Sequence, residues 1–168
     1  MLNKKGFSLI ELLAAVSVFG LCIAILVSYV SVELVAEREK AGCLSASFLK
    51  IQSALKAYSS AKGAFPDPSC STVSETCLPQ LVPHWLPSVP SAQSCLESLR
   101  NSFYYSNTNG VYLCVKTQAA ADKTAVRVFS LVKQRQPDGK VYLNTHCGAT
   151  SDDSIEGKEA ALTWWVIK

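Results

Sequence analysis

Proline is missing from the first 65 residues, and formal charge is scarce throughout: 17% of the 168 residues are charged, against roughly 25% in ordinary soluble domains. The first absence permits a long helix without a break. The second goes with 49% apolar residues, an excess that has to be housed somewhere. No glycine-rich phosphate loop, G-x-S-x-G or H-E-x-x-H occurs, so phosphate-loop, α/β-hydrolase and zinc-protease chemistry have no motif to rest on. Histidine is limited to His84 and His146, which lack recognisable partners and read as surface residues. Lysine and arginine do not gather among aromatics, and without Lys4 and Lys5 the net charge of +3 drops to +1, so no nucleic-acid partner is predicted. The acidic stretch SDDSIEG, with Asp152, Asp153 and Glu156, lacks the alternating ligands of a calcium loop and reads as solvated. The sequence predicts no enzyme, cofactor or metal.

The apolar excess is concentrated. Leu12 to Val32 are 21 residues without formal charge, and as a helix they span about 31 Å, close to the ~30 Å hydrocarbon core of a bilayer. An ordinary cleavable signal fits poorly, because the run exceeds an h-region of about 7–15 residues and no convincing small-x-small site follows it before Glu37, Arg38, Glu39 and Lys40. Lysines on the short N-terminal side place that side in the cytoplasm and the bulk of the chain outside. Seven cysteines suit that placement. Cys22 lies in the apolar run, leaving Cys43, Cys70, Cys77, Cys95, Cys114 and Cys147 as an even set in an oxidising compartment. With no C-x-x-C pair and two histidines, disulfides are a better reading than zinc. Fifteen connectivities are open; the short loop makes Cys70–Cys77 the first expectation, followed by Cys95–Cys114, which leaves Cys43–Cys147.

One helix is expected from about Phe7 to about Ala61. In its outer half Leu44, Phe48, Ile51, Leu55 and Tyr58 recur at steps of four and three and draw a single apolar stripe, which has to be buried. Gly63 and Pro66 stop it. Between Phe65 and Pro90 lie all but one of the seven prolines, an irregular stretch in which Leu81, Val82, Trp85 and Leu86 read as a short helical turn against the core. Strand patterns follow at 102–106, 110–117, 124–133, KVYLNT and the closing ALTWWVIK, with NTNG and PDG as turns. Trp164 and Trp165 alternate faces on a regular strand, so one of them is expected to be exposed or at an interface. The fold class is α+β: a long N-terminal helix, half transmembrane and half amphipathic, packed on an antiparallel sheet of four or five strands.

KKGFSLIELL and the apolar helix behind it closely resemble the class III signal peptide of the type IV pilin and type II secretion pseudopilin superfamily. The resemblance covers residues 1–32 with high specificity. It implies a pilin fold, a leader of residues 1–6 removed between Gly6 and Phe7 by a prepilin peptidase, N-methylation of Phe7, an assembly helix over 7–32 and a periplasmic head over 33–168. It also implies that Glu11 pairs with the Phe7 amine of a neighbouring subunit during assembly, since an unpaired carboxylate in a membrane costs several kcal/mol. Implied partners are other pilin or pseudopilin subunits, an inner-membrane assembly platform and the membrane itself, with the head ending on a filament. Farther along, ALKAYSSAKGAFP, LPQLVPHWLPSVP and FYYSNTNGVYLCV are similar to the helix end, connecting loop and first strands of major pseudopilins. SAQSCLES stands where many of those carry an aspartate-proline-tryptophan-glycine run, and Ser28 where many filament subunits carry a proline. The reading is a subunit of a type IV pilus or related filament, and a minor pilin fits the unbroken helix. A type II secretion pseudopilin and a membrane-tethered periplasmic binding protein are the alternatives.

Overall fold

The computed structural model describes residues 8–66, 78–107, 110–136 and 140–167. Helix α1 runs over Leu9–Lys62. It stops where Gly63 takes a φ of +75° and donates its N–H to the Ser59 carbonyl at 2.8 Å, a left-handed cap that glycine reaches without steric cost. The chain forms two compact units, Met1–Ala36 and Glu37–Lys168, and α1 supplies residues to both. In the second unit Leu44, Phe48, Ile51 and Leu55 of the predicted stripe are fully buried, with Ala41 one turn before them, while Lys50, Ser53 and Lys56 are exposed. Tyr58 ends the stripe half-buried, edge-on to Trp85 at 4.8 Å. A 3-10 turn over Leu78–Leu81 continues into bonds from the Trp85 and Leu86 N–H groups to the Leu81 carbonyl. It seats Leu78, Leu81 and Leu86 in the core, with Val82 and Trp85 against its edge.

The sheet has four antiparallel strands, β1 (Tyr104–Ser106), β2 (Val111–Ala120), β3 (Val141–Asn144) and β4 (Glu159–Ile167), in the order β1-β2-β4-β3. Register puts Leu113, Trp164 and Val141 side by side on the face toward α1. There Phe48 stacks on Trp164 at 5.0 Å and meets the edge of Phe103 at 5.1 Å. The opposite face carries Cys114, Thr163 and Tyr142 in one row and Tyr112 beside Trp165 in the next.

Two expectations fail here. Residues 124–133 are not a strand: helix α2 covers Lys123–Gln134. The Asp122 carboxylate accepts the Ala125 N–H at 2.6 Å as an N-cap, and Ala125, Val128, Phe129 and Val132 are buried at helical spacing. α2 grips the second unit's part of α1 through Arg127 on Glu37 at 3.3 Å and Arg135 on the Arg38 carbonyl at 3.1 Å. Nor is either tryptophan exposed. Trp164 and Trp165 do alternate faces, yet both are 3% exposed, because residues 145–150 fold over the second face. Trp165 Nε1 donates to the Ala149 carbonyl at 2.9 Å and the Gly148 N–H to Thr163 Oγ1 at 3.1 Å. At Gly148 φ is +81°, and a Cβ would lie 2.9 Å from the Tyr112 hydroxyl, so only glycine fits beneath that ring.

The disulfides are Cys43–Cys95 and Cys114–Cys147, with Cα separations of 5.5 and 5.7 Å. The expected pairs Cys95–Cys114 and Cys43–Cys147 are therefore wrong. Cys114 faces away from α1 and meets the covering segment, whereas Cys95 lies against α1, and a bridge needs Cα atoms within about 4.4–6.8 Å. Cys70 and Cys77 lie outside the described residues.

Asp152 ties the end of α2 to the sheet. Its Oδ1 accepts the Leu143 N–H at 2.9 Å and its Oδ2 pairs with Lys133. Burial alone pushes this carboxyl up, but the Leu143 N–H and the Lys133 ammonium outweigh it and hold it below the usual carboxylate value. A depressed folded-state value adds stability above the unfolded value, and that stability is lost as pH falls through the folded one. With side chains 41% and 47% exposed, solvent screening keeps the gain small. Asp152→Asn is expected to cost at most about 1 kcal/mol near neutrality. Its urea-unfolding midpoint should converge with that of the unmodified chain as pH falls below the folded-state value.

Candidate functional site

The first turn of α1 is built by Ser8 and Glu11. Ser8 precedes the helix and its carbonyl accepts the Leu12 N–H at 3.1 Å, while its own N–H donates to Glu11 Oε2 at 3.0 Å. This is the acidic half of a capping box, S-x-x-E, in which the third helical residue reaches back to a backbone donor that the helix leaves free. The carboxylate also sits at the positive end of the helix dipole. Sequence reasoning passed over Ser8, although the S-L-I-E spacing announces the box. A carboxylate can accept about four hydrogen bonds. Glu11 therefore keeps capacity for a cationic donor beside the one backbone bond. Gly6 and Phe7, the expected cleavage and methylation positions, lie outside the described residues.

Beyond this turn the first unit presents hydrocarbon. Leu9, Ile10 and Phe19 are 78%, 76% and 72% exposed, and all described side chains from Ser8 to Ser28 are exposed. Ser17 and Ser28 turn their hydroxyls back to the Leu13 and Ala24 carbonyls at 2.8 Å, so these polar groups are satisfied inside the helix. Cys22 is an exposed free thiol. α1 is long and apolar enough to cross a membrane, and none of its most apolar window is buried by the chain itself. Such a surface wants lipid or other helices.

The remaining candidates do not converge. Among the described residues no three of His, Cys, Asp and Glu come together as a metal-binding group. Asp152 is occupied by Lys133 and Leu143, and Asp153 Oδ1 by the Ser154 N–H at 2.8 Å. His84 and His146 are exposed as expected, His84 edge-on to Trp85 at 5.7 Å.

No curated protein and no solved structure matches the chain. Residues 1–27 match the family model of the prokaryotic N-terminal methylation motif. The chain thus carries the prokaryotic N-terminal methylation motif over residues 1–27, together with one long helix and a four-stranded antiparallel sheet.

Proposed function

We propose that this chain is a structural subunit of a type IV pilus or a closely related filament, made as a prepilin. In this reading residues 1–6 are a leader removed by a prepilin peptidase, the Phe7 amine is methylated, and residues 7–32 anchor the subunit in the inner membrane as a single span. The head over 33–168 stands on the periplasmic side until assembly. The observation that carries the reading is the methylation motif over residues 1–27, which runs into a helix whose most apolar stretch the chain leaves uncovered. Entering a filament exchanges contact with lipid for contact with neighbouring subunits, and the head stays folded throughout. Glu11, with acceptor capacity beyond the Ser8 N–H, takes the Phe7 amine of the next subunit, which removes the cost of an unpaired carboxylate in apolar surroundings.

Intact mass and N-terminal fragmentation of the chain, expressed with and without a prepilin peptidase, test this. Residues 1–6 should be lost and Phe7 should gain one methyl group only with the enzyme present. A leader that persists under conditions that process a known prepilin would remove the filament reading, and a membrane-tethered binding protein would replace it.

A further inference from the structure

The two disulfides stand in different surroundings. Cys114 is fully buried and Cys147 half-buried, in the segment that covers the sheet. Cys43 is exposed on α1, whereas its partner Cys95 is 6% exposed. Ser47, one turn along α1 from Cys43, places its Oγ 3.9 Å from Cys95 Sγ. Cys95 also lines a cavity of about 500 Å³ together with Lys40, Ser94, Asp122 and Thr124. One sulfur of this bond thus belongs to a solvent-facing residue, and the other lies beside a hydroxyl, in a cavity lined by one lysine and by the carboxylates of Glu97 and Asp122.

We propose that Cys43–Cys95 is a thiol–disulfide exchange site, entered at the Cys43 sulfur by a dithiol, while Cys114–Cys147 is a permanent brace. Exchange depends on access to the attacked sulfur and on how readily the other leaves as thiolate, and a hydroxyl donor favours departure. A thiolate of the dithiol forms a bond to the Cys43 sulfur as the Cys43–Cys95 bond breaks. The electron pair leaves on Cys95, which takes a proton from solvent. The second thiol, deprotonated, then closes on the first and expels the Cys43 thiolate, which is protonated in turn. Two electrons pass to the cysteine pair and the dithiol becomes a disulfide. The partner this chemistry fits is a dithiol protein of the C-x-x-C kind. The inference stands on the geometry of the second unit and does not rest on the filament reading.

Opening the bond unhooks α1 from residues 91–99 without dismantling the sheet. That segment keeps its own ties: the Ala92 N–H to the Asn101 carbonyl at 3.0 Å, the Gln118 N–H to the Ser98 carbonyl at 2.8 Å and Gln118 Nε2 to the Leu99 carbonyl at 2.7 Å. Leu96 and Leu99 stay in the core. The bond is one covalent tie between α1 and this segment, and a partner able to open it would remove that tie while the buried stripe and the Arg127 and Arg135 contacts stay in place.

The test uses the full chain in detergent micelles with limiting dithiothreitol, quenched by alkylation and mapped cysteine by cysteine. Cys43 and Cys95 should be alkylated at least about tenfold faster than Cys114 and Cys147. With glutathione as a single-thiol probe, the mixed disulfide should collect on Cys43. Ser47→Ala should slow opening of this bond by roughly two- to fivefold and leave the other bond unchanged. Similar rates for the two bonds, an adduct on Cys95, or a rate unmoved by the Ser47 substitution would each overturn the assignment.

Discussion

Replacing Glu11 with lysine is expected to abolish filament assembly while leaving the head folded. Two roles meet in this carboxylate: it accepts the Ser8 N–H at the start of α1, and under the proposed function it pairs with the amine of a neighbouring subunit. Leaving an ionisable group unpaired in an apolar setting costs about 2.5–3.5 kcal/mol on insertion scales, which lowers the equilibrium for adding a subunit roughly 100-fold. Glu11→Gln separates the two roles, because glutamine still completes a capping box but carries no charge. The readout is the fraction of subunit recovered in sheared filaments, with far-UV circular dichroism as the control for folding. Charge pairing predicts that both variants fail to assemble. Wild-type yield from Glu11→Gln would show that capping is the whole of its role.

The second large effect is structural. Phe48→Ala should destabilise the head by about 3–5 kcal/mol, a drop of roughly 10–20 °C in its melting temperature for a unit of this size. Phe48 is fully buried between the rings of Phe103 and Trp164, so truncation leaves a cavity on the sheet and also removes two aromatic pairs. Each such pair adds about 0.5–1.5 kcal/mol beyond burial. Phe48→Leu, which keeps most of the volume, should lose less than half as much. Thermal unfolding of the full chain in micelles, followed in the near ultraviolet where the tryptophans report, measures both. Equal losses from the two variants would mean that ring contacts rather than volume set the cost.

Much of this architecture was legible because it rests on local patterns. The proline-free start, the stripe through Leu44, Phe48, Ile51 and Leu55, the stop at Gly63 and four of the five expected strands are written at helical or strand period. The fifth, now α2, shows how composition misleads. Val126, Val128 and Val132 suggest a strand, yet Arg127, Ser130 and Lys133 recur every three residues behind a capping Asp122, and that is helix spacing. What depended on tertiary assembly was beyond reach. Which cysteines come within bridging distance is decided by the side of the sheet on which each lies, and short loops in sequence carry no such information. Both tryptophans are covered because residues 145–150 return over the second face, a path for which no periodicity exists. Of the candidate site, the capping bond between Ser8 and Glu11 follows from the S-x-x-E spacing, whereas the pairing of Glu11 with a second subunit belongs to the proposed function.

The strand order bears on life in a crowded membrane. Under the proposed function, subunits awaiting assembly are confined to a plane, where encounters are frequent and every open backbone edge is an invitation to pair. Here the long strands β2 and β4 occupy the middle, and the rims are β1 and β3, three and four residues long. Rims that short give an approaching copy little to add a strand to. On that reading the head can be stored at high density without seeding cross-strand aggregates, and growth is left to the helix.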